Sequence, residues 1–215
     1  MPPKSISSPR RYRSDLRRQQ ARATRQRIVD AAVELFAAEG YAGTTLAKIA
    51  AKAGVSAETV QGHGPKAALL IAAVETVAVG VSGEGNILNL DLGRDLVAAQ
   101  SPDEAIDMLV ATQSDVHLRS AKLAEALIGA ANADPELDRY RRELVASVTL
   151  QWRRICTTYR ERGWIRDDVP FDELVESSSA LGGFEMYLRL TSQGWSIETY
   201  RRWARRMLAE TVFTR

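Results

Sequence analysis

The chain has 215 residues, 45% of them hydrophobic, which suits one small and one larger folded domain. Its single cysteine, Cys156, excludes an intrachain disulfide, and with only two histidines there is no metal-ligand cluster. No apolar stretch reaches membrane-spanning length, and no glycine pattern fits a phosphate-binding loop. These features favour a cytoplasmic protein that uses no metal or cofactor and has no membrane partner.

Basic charge is concentrated at the N-terminus. Residues 1–27 hold nine basic side chains and one acid, a local charge of +8, whereas the complete chain carries +2. A basic segment of this kind is typical of proteins that bind a polyanion. Residues 1–17 are rich in proline and serine and are predicted to form a disordered arm. Its Arg10, Arg11 and Arg13 are candidates for contacts with the minor groove or phosphates of DNA, the alternative being a solvated tail.

Residues 18–66 are predicted to form a helix-turn-helix domain of three helices. The first has a stripe of apolar residues at helical spacing: Ile28, Ala31, Ala32, Leu35 and Phe36. Residues that start or end helices then follow at short intervals: Gly40, Thr44, Thr45, Gly54 and Ser56. Alanines between them allow close helix contact and hold the third helix, residues 57–62, at the surface. A helix so presented can enter the major groove, which is about 12 Å wide.

The same stretch contains several short motifs in a fixed order: Gly40 with Tyr41, Thr44 with Thr45, Ile49 with Ala50, Ala-Gly-Val-Ser at 53–56, and Lys66. In these motifs the first third of the chain resembles the TetR family of transcriptional regulators. The resemblance implies an all-α protein of about nine helices, with a three-helix DNA-binding domain before a larger C-terminal helical domain that binds a ligand and dimerises. One departure is that Gln61 and Gly64 flank Gly62 and His63, where the family usually has aromatic residues around a histidine.

DNA contacts are expected from exposed positions on and beside the third helix: Thr44, Thr45, Ser56, Ala57, Thr59, Gln61, His63 and Lys66. Thr59 and Gln61 are assigned to base edges. Ser56, Thr45 and Lys66 are assigned to phosphates. His63 is equally compatible with a structural role, and Glu58 is interpreted as a charge that favours the helix dipole.

Residues 67–215 are predicted to form a helical domain for effector binding and dimerisation. Helical periodicity and glycine or proline boundaries predict, in chain order, a helix from Pro65 to about Val79, a loop over 80–94, a helix from Pro102 through Val116, another from Leu123 to about Asn132, a long helix from Pro135 to just before Gly163, and a hairpin of 171–192 and 196–213.

The hairpin at the C-terminus is predicted to form the dimer interface. Apolar and small residues lie along one side of its two helices: Leu174, Ser178, Leu181, Gly182, Glu185, Tyr200, Ala204, Met207, Leu208 and Thr211. Two copies would form a four-helix bundle, as TetR-family members do. The alternative is that this face packs on its own domain.

A ligand pocket is predicted from polar and aromatic residues on otherwise apolar helix faces: Gln113, His117, Trp152, Cys156, Tyr159, Phe184 and Tyr187. Each has an alternative interpretation. Trp152 and Tyr159 fit core positions, and His117 fits an exposed position beside Arg119. Cys156 fits a small buried hydrophobe better than a redox sensor, since it has no resolving partner.

Together these features predict a homodimeric DNA-binding transcriptional regulator. Its most fitting form is a repressor that a small-molecule effector releases from a palindromic, double-stranded operator. The alternative is a nonspecific nucleic-acid-binding scaffold protein that uses its basic arm. An enzyme is not favoured, because no nucleophile, base and orienting group occur at a suggestive spacing.

Overall fold

The computed structural model describes residues 9–77 and 91–214, with side chains described for 18–77 and 93–214. Within these ranges there are ten helices: α1 (Pro9–Gly43), α2 (Leu46–Ala53), α3 (Ala57–Gln61), α4 (Lys66–Val77), α5 (Asp91–Ala98), α6 (Pro102–Ala131), α7 (Pro135–Glu161), α8 (Phe171–Leu181), α9 (Phe184–Ser192) and α10 (Ile197–Thr211). The same residues form no strand, only an isolated bridge between Ile165 and Phe213. The all-α prediction is therefore confirmed.

The first helix begins earlier than the sequence pattern indicates. α1 extends back to Pro9, whereas residues 1–17 are predicted to be a disordered arm. Proline is favoured in a first helical turn, and residues 10–39 contain no glycine or proline that would end the helix. Residues 1–8 lie outside the described ranges. At the other end, Gly40 breaks the helical geometry with φ 67°, as its position predicts.

The C-terminal domain differs from the predicted elements in three places. α6 is one helix of 30 residues, whereas the sequence pattern predicts two helices. The apolar pattern is interrupted because small or polar residues such as Ser120 occupy buried positions within α6. The hydroxyl of Ser120 is satisfied by donating to the carbonyl of Val116 at 2.5 Å. The predicted loop over 80–94 ends in α5, and residues 78–90 of that loop lie outside the described ranges.

The third difference is in the predicted hairpin. Its first helix, predicted as continuous over 171–192, divides into α8 and α9 at Gly182 and Gly183. Two adjacent glycines weaken a helix because they lose the most backbone entropy on folding. This break places backbone groups of Gly182 beside α6.

Two hydrophobic cores share the long helix α6. The N-terminal core joins α1–α4 to the end of α6 and the start of α7, and includes Ile28, Phe36, Ile49, Val60, Leu70, Leu127 and Leu137. The C-terminal core joins α5–α10 and includes Leu109, Trp152, Ile155, Tyr159, Leu174 and Tyr200. α4 thus packs with the N-terminal helices, and α6 and α7 each contribute residues to both cores.

Candidate functional site

Three local residues set the geometry of α2 and of the turn between α2 and α3. The Thr45 side chain caps α2 by accepting from the backbone N–H of Lys48 at 3.2 Å. Gly54 ends the helix in the left-handed conformation, with φ 64° and ψ 42°. The N–H of Val55 then donates to the carbonyl of Ala50 at 3.1 Å, which closes the turn. The sequence predicts the cap at Thr45 and the turn at Gly54.

The short helix α3 is anchored by one residue and exposed along the rest. Ser56 caps it by accepting from the N–H of Thr59 at 3.2 Å. Val60 is completely buried in the N-terminal core, whereas Ala57, Glu58 and Gln61 are exposed. An exposed helix held by one buried side chain has the form of a recognition helix.

The predicted DNA-contact residues fall into three groups. Thr45, Ser56, Ala57 and Gln61 are exposed, and Thr59 and His63 are half-buried, so all six lie at or near the α3 surface. Thr44 is wrong as a contact residue: it is completely buried and its hydroxyl donates to the Gly40 carbonyl at 2.8 Å. That bond satisfies the Gly40 carbonyl, at the point where the chain turns back after the helical part of α1. The side chains of Arg10, Arg11 and Arg13 lie outside the described part of the chain.

Lys66, predicted to contact a phosphate, has hydrogen-bond partners within the protein. Its Nζ donates to the carbonyls of Tyr41 at 2.8 Å and Thr44 at 3.2 Å. It also lies 4.0 Å from the centre of the Tyr41 ring. The ammonium therefore binds carbonyls that follow the helical part of α1, where positive charge is favoured. These bonds give Lys66 a structural role, and its phosphate contact stays a prediction.

Replacing Lys66 with alanine is expected to lower the free energy of unfolding by about 1–2 kcal/mol, because two part-buried carbonyls lose a charged donor. Urea denaturation measures this. Lys52→Ala is the matched control, since the Lys52–Glu34 pair is largely solvent-exposed and should contribute little. An unchanged unfolding free energy in Lys66→Ala together with weaker DNA binding would favour the phosphate contact over the structural role.

A row of basic residues on α1 lies next to this surface. Arg18, Arg22, Arg25 and Arg27 are all exposed. A guanidinium nitrogen of Arg27 lies 3.9 Å from the position that a Cβ would take on Gly54, so Arg27 borders the turn. In the sequence these residues stand out only by their charge. The spacings of four and three residues between Arg18, Arg22 and Arg25 were the signal that these three share a face of α1.

Besides the shared core, a hydrogen bond joins the N-terminal helices to the C-terminal domain. The Tyr41 hydroxyl donates to Oδ2 of Asp134 at 3.2 Å, and Asp134 also caps α7 by accepting from the N–H of Glu136 at 3.0 Å. Burial, and then the bond to Asp134, raise the pKa of Tyr41 to about 12. Tyr41 therefore remains a neutral hydrogen-bond donor, and it ties the end of α1 to the start of α7.

A cavity of about 540 Å³ lies between α6, α7, α8 and α9, and we call it the α6–α9 cavity. Its wall is mostly apolar, with residues such as Leu109, Leu127, Val145 and Ile155. Leu127 belongs to the N-terminal core and Ile155 to the C-terminal core, so the cavity lies between the two.

Four of the seven predicted pocket residues line this cavity: Gln113, His117, Trp152 and Phe184. The other three do not. Tyr159 donates its hydroxyl to the Leu96 carbonyl at 2.9 Å, and Cys156 is buried with Sγ 3.8 Å from Oγ of Ser178. Tyr187 packs edge-on against Tyr200, 5.0 Å between ring centres. All three are core residues because their polar atoms or rings already have partners inside the protein.

Burial also defines the chemistry of the cysteine. It raises the pKa of the Cys156 thiol to about 11, and the bond to Ser178 only partly opposes this. The thiol therefore stays protonated near neutral pH, and since the thiolate is the reactive form, Cys156 behaves as a small buried hydrophobe. The interpretation as a redox sensor is not supported.

His117 is buried in an aromatic cluster, so the alternative interpretation, an exposed position beside Arg119, is wrong. It is 2% exposed, and its ring centre lies 4.8 Å from that of Phe184 and 4.6 Å from that of Tyr187. Burial lowers the pKa of His117 to about 4, against a smaller opposing effect of a hydrogen bond to the Gly182 backbone. The imidazole is therefore neutral at physiological pH, and Nδ1 has no partner within the described ranges.

The break between α8 and α9 shapes the same wall. Nε2 of Gln113 donates to the carbonyl of Gly182. A Cβ on residue 182 would collide with the Gln113 amide, which would have to move and give up this hydrogen bond. Sequence reasoning placed Gly182 in the dimer interface; the adjacent glycines at 182 and 183 were the available signal for a helix break.

Most of the residues predicted for the dimer interface are buried within a single protomer. Six of its ten members are buried within the protomer: Leu174, Ser178, Gly182, Tyr200, Ala204 and Leu208. They pack into the protein's own domain, the alternative that the pattern left open. The other four keep some exposure: Leu181, Glu185, Met207 and Thr211. An amphipathic face has the same pattern whether it meets its own domain or a second copy.

Among the described residues, no group of histidine, cysteine and carboxylate side chains is arranged to hold a metal ion. None of the helices in those ranges is both long enough and apolar enough to cross a membrane.

The profile of bacterial regulatory proteins of the tetR family matches residues 28–73, the stretch that contains α2, the Gly54 turn and α3. Residues 28–73 form a TetR-family domain. Over 44 residues the chain is 52% identical to the HTH-type transcriptional regulator TtgW of Pseudomonas putida, a match that covers 20% of this chain and 33% of TtgW. The chain thus spans about a third of the length of this relative.

Solved structures extend the likeness to the complete fold. A tetR-family regulator from Mesorhizobium loti aligns with a TM-score of 0.71 at 22% identity, covering 90% of this chain and 98% of that one. A transcriptional regulator from Saccharomonospora viridis in complex with choline aligns with a TM-score of 0.71 at 20% identity, covering 89% and 98%. The TetR-type domain therefore continues into a C-terminal domain with the fold of TetR-family regulators.

Proposed function

We propose that this protein is a dimeric DNA-binding transcriptional regulator, a repressor that a small-molecule effector releases from a palindromic operator. The observation that carries the proposal is the exposure of Ala57 and Gln61 on α3, with Val60 buried beneath them. A helix held in this way can lie in the major groove, while the basic residues of α1 contact the phosphates. Such a regulator works in the cytoplasm, where the DNA is.

A second copy is needed for specific recognition. α3 has only five residues and can contact few base pairs. Two such helices related by two-fold symmetry, about 34 Å apart, read both halves of a palindrome and combine their affinities. The partly exposed residues of α8–α10, among them Leu181 and Met207, are the proposed meeting surface.

Effector control follows from the way the two cores share α6. A molecule in the α6–α9 cavity touches Leu127, which packs in the same core as the α1 and α4 residues that support α3. The Tyr41–Asp134 bond adds a second connection. A ligand that fits one arrangement of these helices better than another shifts the separation of the two readers, with a coupling of about 1–3 kcal/mol. The choline complex of a protein with the same fold supports a ligand role for this domain.

The test is selection of bound sequences from a random pool of duplex DNA, using the full chain. We expect an inverted repeat with half-sites about one helical turn apart, together with a dimer in sedimentation. Gel shifts at two salt concentrations then compare the selected site with scrambled DNA. A specific regulator keeps its preference as salt rises. If all binding is lost as salt rises, and the selected site is not preferred over scrambled DNA while binding lasts, the nonspecific scaffold protein is favoured instead.

A further inference from the structure

The wall of the α6–α9 cavity is mostly apolar and carries few charges. Among the described residues, its charged members are Arg141, Glu176 and Glu185. Arg141 is paired with Asp138 at 3.0 Å, and both glutamates are exposed to solvent. The volume of about 540 Å³ falls within the range of small-molecule sites. An ionised group buried in this cavity would lose hydration and gain little from an opposite charge.

Most uncharged polar side chains of the wall either have partners in the protein or do not select among ligands. The hydroxyls of Thr149 and Ser179 lie 2.9 Å apart and bond to each other. The amide oxygen of Gln151 accepts from Arg154 at 3.1 Å. Thr112 has a hydroxyl that can both donate and accept, so it suits any neutral polar group. Selection among neutral ligands therefore depends on the second side-chain amide of the wall.

That amide belongs to Gln113, and one of its two polar atoms has no partner. Nε2 donates to the carbonyl of Gly182. Because a carbonyl oxygen can only accept, this bond fixes the orientation of the amide and leaves Oε1 as the other atom. Oε1 accepts no hydrogen bond from the described residues. It also keeps accessible surface, whereas Nδ1 of His117 is sealed in the interior.

The accessible oxygen lies at the wall of the cavity. Gln113 is half-buried, and its amide packs so closely on Gly182 that a Cβ there would lie 2.9 Å from Oε1. Gln113, Gly182 and Gly183 all line the cavity. An amide oxygen has lone pairs but no proton. A molecule that fills the cavity therefore either donates a hydrogen bond to Oε1 or leaves it unpaired, which lowers the affinity.

We propose that the α6–α9 cavity binds an uncharged, largely apolar molecule that donates a hydrogen bond from an O–H or N–H group to Oε1 of Gln113. This inference rests on the proposed function, since it names the chemical class of the effector. A carboxylate has no proton to donate, and Arg141 is already paired. An ammonium group can donate, but it has to bury its charge against one neutral oxygen, because Glu176 and Glu185 are exposed to solvent. Both therefore bind more weakly than a neutral donor of similar size.

The test measures direct binding to the full chain by calorimetry in the absence of DNA, so that its result is separate from that of the DNA selection. The neutral probes are 4-pentylphenol and 4-pentylanisole, which share an oxygen and differ in its proton. The charged probes, 4-pentylbenzoate and 4-pentylbenzylammonium, have the same apolar part. We expect the phenol to bind wild-type protein about tenfold more tightly than the ether, because the ether leaves Oε1 of Gln113 unpaired. Both charged probes should bind more weakly than the phenol.

Two variants locate the effect. Gln113→Leu keeps a side chain of similar size but removes the acceptor, so the preference for phenol over ether should disappear. Ser114→Ala is the matched control: it removes the polar atom of the next residue in α6, which is buried and outside the cavity wall, and the preference should remain. If Gln113→Leu does not fold, the comparison of the four probes on wild-type protein decides.

The proposal is overturned if the ether binds wild-type protein as well as the phenol, if either charged probe binds more tightly than the phenol, or if no probe binds. It is also overturned if folded Gln113→Leu keeps the full preference. A protein that selects an inverted repeat yet binds none of the probes would retain its proposed function and lose only this ligand class. Phenol binding without DNA selection would do the reverse.

Discussion

A glutamate at position 57 is expected to abolish specific DNA binding while leaving the fold intact. Ala57 is the exposed first residue of α3. A carboxylate there favours the helix dipole, so the free energy of unfolding should change by less than about 0.5 kcal/mol. In the complex the same carboxylate faces the groove and its phosphates. With about 1–3 kcal/mol lost at each of two half-sites, affinity for the selected operator should fall about a hundredfold or more.

Ala111→Glu is the control for this experiment. Ala111 is also an exposed alanine in a helix, but it lies on α6 in the C-terminal domain. The added charge per protomer is therefore the same, and its DNA affinity should match that of wild-type protein. Fluorescence anisotropy with labelled operator gives both values. Wild-type affinity in Ala57→Glu would show that α3 is not the element that enters the groove.

The helix-turn-helix was predictable because its signals are local. Thr45 and Ser56 cap the helix that follows each of them, and Gly54 adopts the left-handed conformation that the turn requires. Each of these effects operates within four residues along the chain. The roles of Thr44 and Lys66 were not predictable in this way, since their hydrogen bonds depend on where the chain folds back after Gly40.

Two features of the C-terminal domain depend on tertiary packing. Sequence periodicity treats polar residues as exposed, yet Ser114, His117 and Ser120 are all buried in α6, which is why one long helix was taken for two. The face of the C-terminal hairpin was correctly interpreted as apolar, but its partner was not: Tyr200 and Leu208 pack within the protomer. The pattern specifies that a face is covered, and only the fold specifies by what.

The ligand site was predictable in part for the same reason. Gln113 and His117 stood out because they are polar residues on an apolar helix, and both do line the cavity. Trp152 and Phe184 line it as well. Cys156 and Tyr159 have equally conspicuous side chains but find partners in the core. Which face of α7 borders the cavity depends on how α8 packs against it, and no local signal encodes that.

The buried imidazole predicts a loss of stability in mild acid. The pKa of His117 is lowered from 6.5 to about 4 by burial, whereas in the unfolded chain it returns to its ordinary value. Between these values the unfolded state binds the extra proton. The stability that the neutral ring contributes is therefore complete above about pH 6.5 and is lost as pH falls towards 4, reaching about 2 kcal/mol near pH 5.

His117→Phe isolates this effect from the many carboxylates that also titrate in acid, because both proteins contain the same ones. The groups packed against the ring are the uncharged side chains of Phe184, Tyr187 and Tyr200, and Glu185 of α9 is exposed to solvent. Urea denaturation between about pH 7 and pH 5 should show the wild type losing about 2 kcal/mol more than the variant. Parallel losses in the two proteins would mean that the ring is hydrated or charged in the folded state.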